Sequence, residues 1–189
     1  KKLCYFIIIL CQLSCSDKAV NNAIEIETIS VILLSQKTAY IANDSISLTF
    51  KTNNGADSKL MLTNAFGSSI IAPEKKDDKL IFAFPKSYSR KAGPCNWALI
   101  LDGNETKKGS LKILPETESK ATLETYFGPR SITAGNTDYS MLISVTTDPY
   151  DNIYPEGTEL SFQSQFLEYI SEFTIPSKDY ISWKNIKAT

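Results

Sequence analysis

The chain has 189 residues, enough for one or two domains, and its 20 basic and 21 acidic residues leave a net charge of −1. That balance creates no basic field to attract nucleic acid. There is no histidine, which removes serine–histidine–aspartate and cysteine–histidine catalysis, histidine-ligated metals and the usual general base near neutral pH, but leaves carboxylate-pair chemistry open.

The chain begins with two lysines, Lys1 and Lys2, followed by an almost unbroken apolar run from Leu3 to Leu13 and then by Ser14 and Cys15. It turns polar at Ser16, Asp17 and Lys18. A basic start, a short apolar stretch and a small residue before the break read as a secretory signal peptide over residues 1–15. The run is too short for a membrane span, which needs about 20 residues. The ending Leu13–Ser14–Cys15 resembles the lipobox of bacterial lipoproteins, and the whole segment resembles the lipoproteins of the Bacteroidetes. That resemblance implies a lipid on Cys15, which becomes the mature N-terminus, and attachment to the outer membrane at its periplasmic or cell-surface face. Cys4 and Cys11 lie in the signal too, so Cys95 is the one thiol left in the mature body and no intrachain disulfide is expected. An unpaired cysteine of this kind reads as a small buried hydrophobe.

Residues 16–25 are polar without a period and read as a tether. From 26 to 115 the pattern is β, with alternation over 46–50, 60–62, 80–84, 95–101 and 110–113, and further strands at 28–34 and 69–72. Turn chemistry separates them, including Asn53–Asn54–Gly55 and Asp102–Gly103, where Asp–Gly between two strand runs predicts a hairpin. About seven short strands with no helical period predict a β-sandwich. The charge run Glu74–Lys75–Lys76–Asp77–Asp78 reads as a solvated hairpin loop. The stretch KAGPCNWALIL, residues 91–101, resembles the F strand of an immunoglobulin-like domain reached through a glycine corner at Gly93. Cys95 and Trp97 replace the family's corner tyrosine and disulfide cysteine there, so neither feature carries over, and Trp97 is expected in the core.

Residues 116–120 form a polar linker that follows Pro115. From 121 to 189 a second β pattern begins, with strands expected at 122–127, 139–147, 158–166, 172–175 and 180–186. Within it Ala134, Gly135, Asp138, Thr147, Asp148, Asn152, Pro155, Gly157 and Thr158 follow the pattern of the bacterial Ig-like modules of invasin and intimin adhesins, which this stretch resembles. Asp151 stands where such modules commonly carry glycine. The expected architecture is all-β: tandem Ig-like β-sandwiches behind a lipoprotein signal, the second with only about five strands and expected to be cut short.

Asp148, Asp151, Asn152 and Glu156 place oxygen ligands within nine residues, a calcium-like density, yet Asp–Pro and Asp–Asn are turn formers and the spacing fits no EF-hand. Glu168 and Glu172 read as solvated strand residues rather than an acid/base pair. Asp44–Ser45–Ile46 resembles a short O-glycosylation motif of the Bacteroidetes. Tyr150, Tyr154 and Trp183, with Tyr169 and Tyr180 nearby in sequence, are the residues from which a ligand-stacking platform could be built, although aromatics are also ordinary strand residues. No catalytic residue, metal site or cofactor is expected. The expected function is therefore non-enzymatic: a cell-surface lipoprotein whose Ig-like units act as adhesive or spacer modules. Its partners are the membrane, through the lipid on Cys15, and a protein or glycan ligand, with no nucleic acid. Two alternatives remain: a glycan-binding lipoprotein of an outer-membrane polysaccharide uptake system, and the spacer domains of an enzyme whose catalytic domain lies beyond residue 189.

Overall fold

The computed structural model describes residues 29–53, 57–135, 137–166 and 168–187. The signal peptide expected over residues 1–15, Cys15 and the tether expected over 16–25 lie outside them, as do Asn54 and Gly55 of the expected turn and Thr28 of the strand expected at 28–34.

Nine strands and one short helix make the first unit: β1 (Val31–Leu33), β2 (Ala39–Ile41), β3 (Ser47–Thr52), β4 (Ser58–Asn64), β5 (Gly67–Ile71), β6 (Glu74–Lys76), β7 (Lys79–Ala83), α1 (Lys86–Ser89), β8 (Gly93–Leu101) and β9 (Asn104–Leu114). One sheet has the order β1-β3-β7-β6 and the other β2-β9-β8-β4-β5. All pairings are antiparallel except β2 with β9. In immunoglobulin lettering the first sheet is A-B-E-D, and the second is G-F-C-C′ with β2 added on its edge. The first unit is an immunoglobulin-like sandwich.

The alternation seen in the sequence becomes its core. Leu48 and Phe50 of β3, Leu80 and Phe82 of β7, Leu60 and Leu62 of β4, Cys95, Trp97, Leu99 and Leu101 of β8, and Leu111 and Ile113 of β9 all point inward and are buried. Phe50 meets Phe82 at 5.9 Å and Trp97 at 5.5 Å between ring centroids, both edge-to-face, an arrangement favoured by the ring quadrupoles. Trp97 is 6% exposed, and its indole lies over the partner strand at Gly109, where a Cβ would overlap the ring. Cys95 is fully buried and unpaired, and burial pushes its thiol pKa up to about 11, so it stays protonated and inert. The β8–β9 hairpin closes at Asp102–Gly103, both with positive φ, as the Asp–Gly pair predicts.

Three elements escaped the sequence pattern. β2 has three residues and pairs in parallel with β9, more than 70 positions away, so nothing local announces it. β6 corrects the reading of the 74–78 charge run as a loop: Glu74–Lys76 pair with Lys79–Ile81, and only Asp77–Asp78 turn. Charged side chains suit an edge strand, since both its faces are wet there and the charges discourage further pairing. The four residues of α1 are too few to show a period.

The second unit contains β10 (Thr122–Gly128), β11 (Ser140–Thr147), β12 (Glu159–Phe166), β13 (Tyr169–Pro176) and β14 (Ser182–Ile186). Among the described residues they form a three-stranded sheet, β10-β11-β14, and a β12–β13 hairpin. In chain order these match A, B, C, C′ and E of the first unit.

Replacing Trp97 by alanine should cost about 3–5 kcal/mol, the range for a buried aromatic truncated in a core. Gly109→Ala should cost about 1–3 kcal/mol, because the new methyl collides with the Trp97 indole. Guanidinium melts of the two variants check both, and the double variant Trp97→Leu with Gly109→Ala should recover part of the second loss.

Candidate functional site

The densest set of polar contacts joins the two units. The loop after β11 folds back on itself: Asp148 N–H donates to the Asn152 carbonyl (2.9 Å), Asp151 N–H to the Asp148 carbonyl (3.1 Å) and Tyr154 N–H to the Thr146 carbonyl (2.9 Å). Asp151 adopts φ 59°, a conformation that Asp and Asn tolerate better than most residues. Asp148 and Asn152 are thereby turned inward, 1% and 2% exposed.

Every oxygen of the Asp148 carboxylate is used. Oδ1 accepts N–H bonds from Tyr150 (2.8 Å) and Asn152 (2.9 Å), and Oδ2 accepts the Asn152 Nδ2 amide (2.8 Å) and the Glu116 N–H of the linker (3.0 Å). Asn152 then reaches into the first unit. Its Nδ2 donates to the Arg90 carbonyl (2.7 Å) and its Oδ1 accepts the Ala92 N–H (2.8 Å). The Arg90 guanidinium lies 5.2 Å from the Tyr150 ring centroid, and Tyr150 packs on the apolar core of the first unit. The Arg90 Nε–H donates to Asn43 Oδ1 (3.1 Å), and the Asn43 N–H donates to the Ser89 carbonyl (2.8 Å). α1 and the Gly93 corner (φ +126°) therefore present Arg90 and Ala92 to the second unit.

Burial raises the Asp148 pKa, but the bonds from the Asn152 amide and from the Glu116, Asn152 and Tyr150 N–H groups outweigh it and leave the carboxyl below its ordinary value. The donors around it are all N–H groups, the arrangement of a structural carboxylate rather than of a cation ligand. The remaining members of the calcium-like cluster have other work. Glu156 accepts the N–H groups of Asp179 (2.9 Å) and Tyr180 (2.8 Å) in the turn before β14, and Asp151 is exposed. Among the described residues no group of three His, Cys, Asp or Glu side chains could hold a metal ion.

Tyr150 and Tyr154 both belong to this junction, Tyr154 through a 3.5 Å bond from its hydroxyl to the Ser119 carbonyl of the linker. Trp183 stands elsewhere, on β14 opposite Ile143. Tyr169 sits at the β12–β13 turn and Tyr180 in the turn before β14. Glu168 lies in the β12–β13 turn and Glu172 on β13 opposite Gln163, both exposed. Asp44 accepts the Ile41 N–H (3.1 Å) and Lys37 Nζ (3.3 Å) in a turn, with Ser45 exposed beside it. The reading of residues 148–152 as a turn missed the contact with residues 90–92, about 60 positions upstream. The sequence signal that could have pointed to it is Asn152 itself, a side chain with two donors and an acceptor in a short loop.

Neither a family model nor a curated protein sequence matches this chain. Among solved structures it is similar to the native conformation of E. coli α2-macroglobulin, at 11% identity and TM-score 0.40, over 85% of this chain and 12% of that one. The chain thus spans about an eighth of that protein's length. It is also similar to a chimeric titin Z1Z2-Z1Z2 tandem, at 10% identity and TM-score 0.31, over 84% of this chain and 85% of that one. A marsupial T cell receptor gives 10% identity and TM-score 0.31, over 85% and 86%. Titin and the receptor are Ig-like domain proteins; the assignment of the fold here rests on the strand order itself.

Asn152→Ala should destabilise the chain by about 1–3 kcal/mol, because the part-buried bonds to the Ala92 N–H and the Arg90 carbonyl are lost, each worth about 0.5–1.5 kcal/mol net. Small-angle scattering should then show a broader distribution of end-to-end lengths. Because Asp148 has a depressed pKa in the folded chain, its stabilisation is present above the ordinary aspartate value of about 3.9 and is lost as pH falls through the lower folded value. Urea melts from pH 6 down to about pH 2 should show this acid loss, and in Asp148→Asn the part due to this group should be absent.

Proposed function

We infer that this protein is a non-enzymatic surface lipoprotein whose two Ig-like units form a stiff arm. Ig-like units are structural or binding modules in general, and the observation that carries the more specific reading is the Asp148–Asn152 junction. A flexible pair of domains would leave their join wet; here a carboxylate and an amide are buried and fully bonded across it. Such a join transmits orientation from one unit to the next, which a spacer or an adhesive arm needs and a lone globular enzyme does not. The lipobox-like ending at Cys15 supplies the other half of the reading, an anchor at the base of the arm. One acyl chain gives only marginal membrane binding at about 0.8 kcal/mol per buried CH₂, so a lipoprotein's several chains are what make the attachment stable.

The test is Cys15→Ala in the full chain, followed by membrane fractionation and alkaline washing. The variant should remain unprocessed or leave the membrane fraction. Normal processing together with retention after the wash would refute the anchor, and accessibility of the unaltered protein to a protease added outside intact cells decides the face.

A further inference from the structure

The polarity of β11 is reversed for a sandwich strand. Ser140, Ser144 and Thr146 are turned inward and buried with Leu142, while Met141, Ile143 and Val145 face the opposite side. The inward hydroxyls have partners: Ser140 donates to the Pro129 carbonyl, Ser144 pairs with the Thr125 hydroxyl (3.1 Å), and Ser182 of β14 donates to the Ile175 carbonyl (3.5 Å). Met141, Ile143 and Val145 are half-buried on the outer side, while Leu142, with Leu123 and Phe127 of β10 in register on its side, belongs to the inner one.

Register makes this outer face a grid, because directly paired residues of antiparallel strands project to one side. Tyr126 of β10, Ile143 of β11 and Trp183 of β14 form one row across all three strands. The row on one side of it carries Glu124 and Val145, and the row on the other carries Gly128, Met141 and Asn185. The Thr122–Thr147 pair closes the face at the end beyond Glu124. Tyr126 is 65% exposed and Trp183 48%. A Cβ at Gly128 would come 2.6 Å from the Tyr126 hydroxyl, so the phenol lies along β10 over that glycine rather than standing off the sheet. Glu124, Tyr126, Ile143 and Val145 line a shallow depression beside the row.

The two aromatic rings flank one intervening strand, about 10 Å apart at two strand spacings. The row has Glu124 beside Val145 on one side and Asn185 beside Met141 on the other, so a carboxylate and an amide stand at its two edges. We propose that Tyr126 and Trp183 stack against sugar rings of an extended, neutral polysaccharide lying across the strands, with Glu124 and Asn185 bonding the hydroxyls along its two edges. A pyranose offers the matching chemistry: C–H groups on its faces for the aromatic rings, and hydroxyls around its rim that both donate to a carboxylate and exchange bonds with an amide. The separation of the rings suits sugars two residues apart in an extended chain. A protein partner fits less well, because a stable protein interface covers about 800 Å² on each side, whereas the apolar part of this face is confined to Tyr126, Trp183 and the half-buried Met141, Ile143 and Val145 on three short strands. This ligand class adds to the binding role and does not depend on the lipid anchor, so the two stand or fall separately.

The experiment is isothermal titration of the full chain, solubilised in detergent, with cellohexaose, xylohexaose, mannohexaose and laminarihexaose. At least one should bind. Trp183→Ala and Tyr126→Ala should each weaken that binding about tenfold or more, about 1.4 kcal/mol, while Trp183→Phe keeps most of it. Glu124→Gln should weaken it less, and the melting temperature of Tyr126→Ala should stay unchanged because its side chain is mostly in solvent. Absence of binding to all of these sugars, or affinity that survives both Trp183→Ala and Tyr126→Ala, overturns the proposal. So does concentration-dependent dimerisation in sedimentation that Trp183→Ala abolishes, which would assign the face to a second copy of the chain.

Discussion

The hydrogen-bonded pair of Asp148 and Asn152 is the constraint on which the arrangement of the molecule depends. Two β units linked by a few polar residues have little apolar surface with which to hold each other, and relative motion is the default for such pairs. In this chain the join is made by polar groups instead. Asp148 gathers four N–H donors from the loop and the linker, and Asn152 extends the same network to the backbone of Arg90 and Ala92. The energetics of burial bear on how this join holds. A buried carboxylate or amide is tolerable when fully bonded, and each bond that opening gives up is worth about 0.5–1.5 kcal/mol net.

That network requires a rigid receptor in the first unit, and the immunoglobulin-like core provides it. The chain leaves the sheet after β7, makes the single turn of α1, and re-enters through Gly93 into β8, whose Cys95, Trp97, Leu99 and Leu101 are buried against the opposite sheet. The Arg90 carbonyl and Ala92 N–H are therefore held at the base of a strand that cannot move without disturbing Phe50 and Trp97. Asn43 ties the same segment to the turn after β2 through the Ser89 carbonyl and the Arg90 side chain. Core packing, corner and junction form one mechanical path, and Tyr150 adds an apolar contact to it under the Arg90 guanidinium.

The second unit distributes its side chains differently. Its inner face carries hydroxyls, which permit close approach of the covering segments and find carbonyl or hydroxyl partners locally. Its outer face carries Tyr126, Trp183 and the half-buried Met141, Ile143 and Val145, while Leu123, Phe127 and Leu142 share the inner side with the hydroxyls. Tyr126 and Trp183 are the solvent-exposed members of that outer face.

Much of this was legible in the residues alone. The period-two runs of both units, the Asp102–Gly103 hairpin, the burial of Trp97 and Cys95 and the turn at residues 148–152 follow from local chemistry, because alternation, positive φ at glycine and side-chain volume act within a few residues. What the sequence could not decide were the contacts made by partners far apart along it. β2 exists only because β9 offers it an edge, and Glu74–Lys76 become a strand rather than a loop because β7 runs beside them. Asn152 reads as one more turn former until the fold brings the Arg90 carbonyl to its amide. Tyr126 and Trp183 are ordinary strand residues, 57 positions apart, until the register of β10, β11 and β14 sets both against Ile143. Local patterns specify which side of a strand a residue occupies; which residues become neighbours across strands is set by pairing register, a property of the tertiary structure alone.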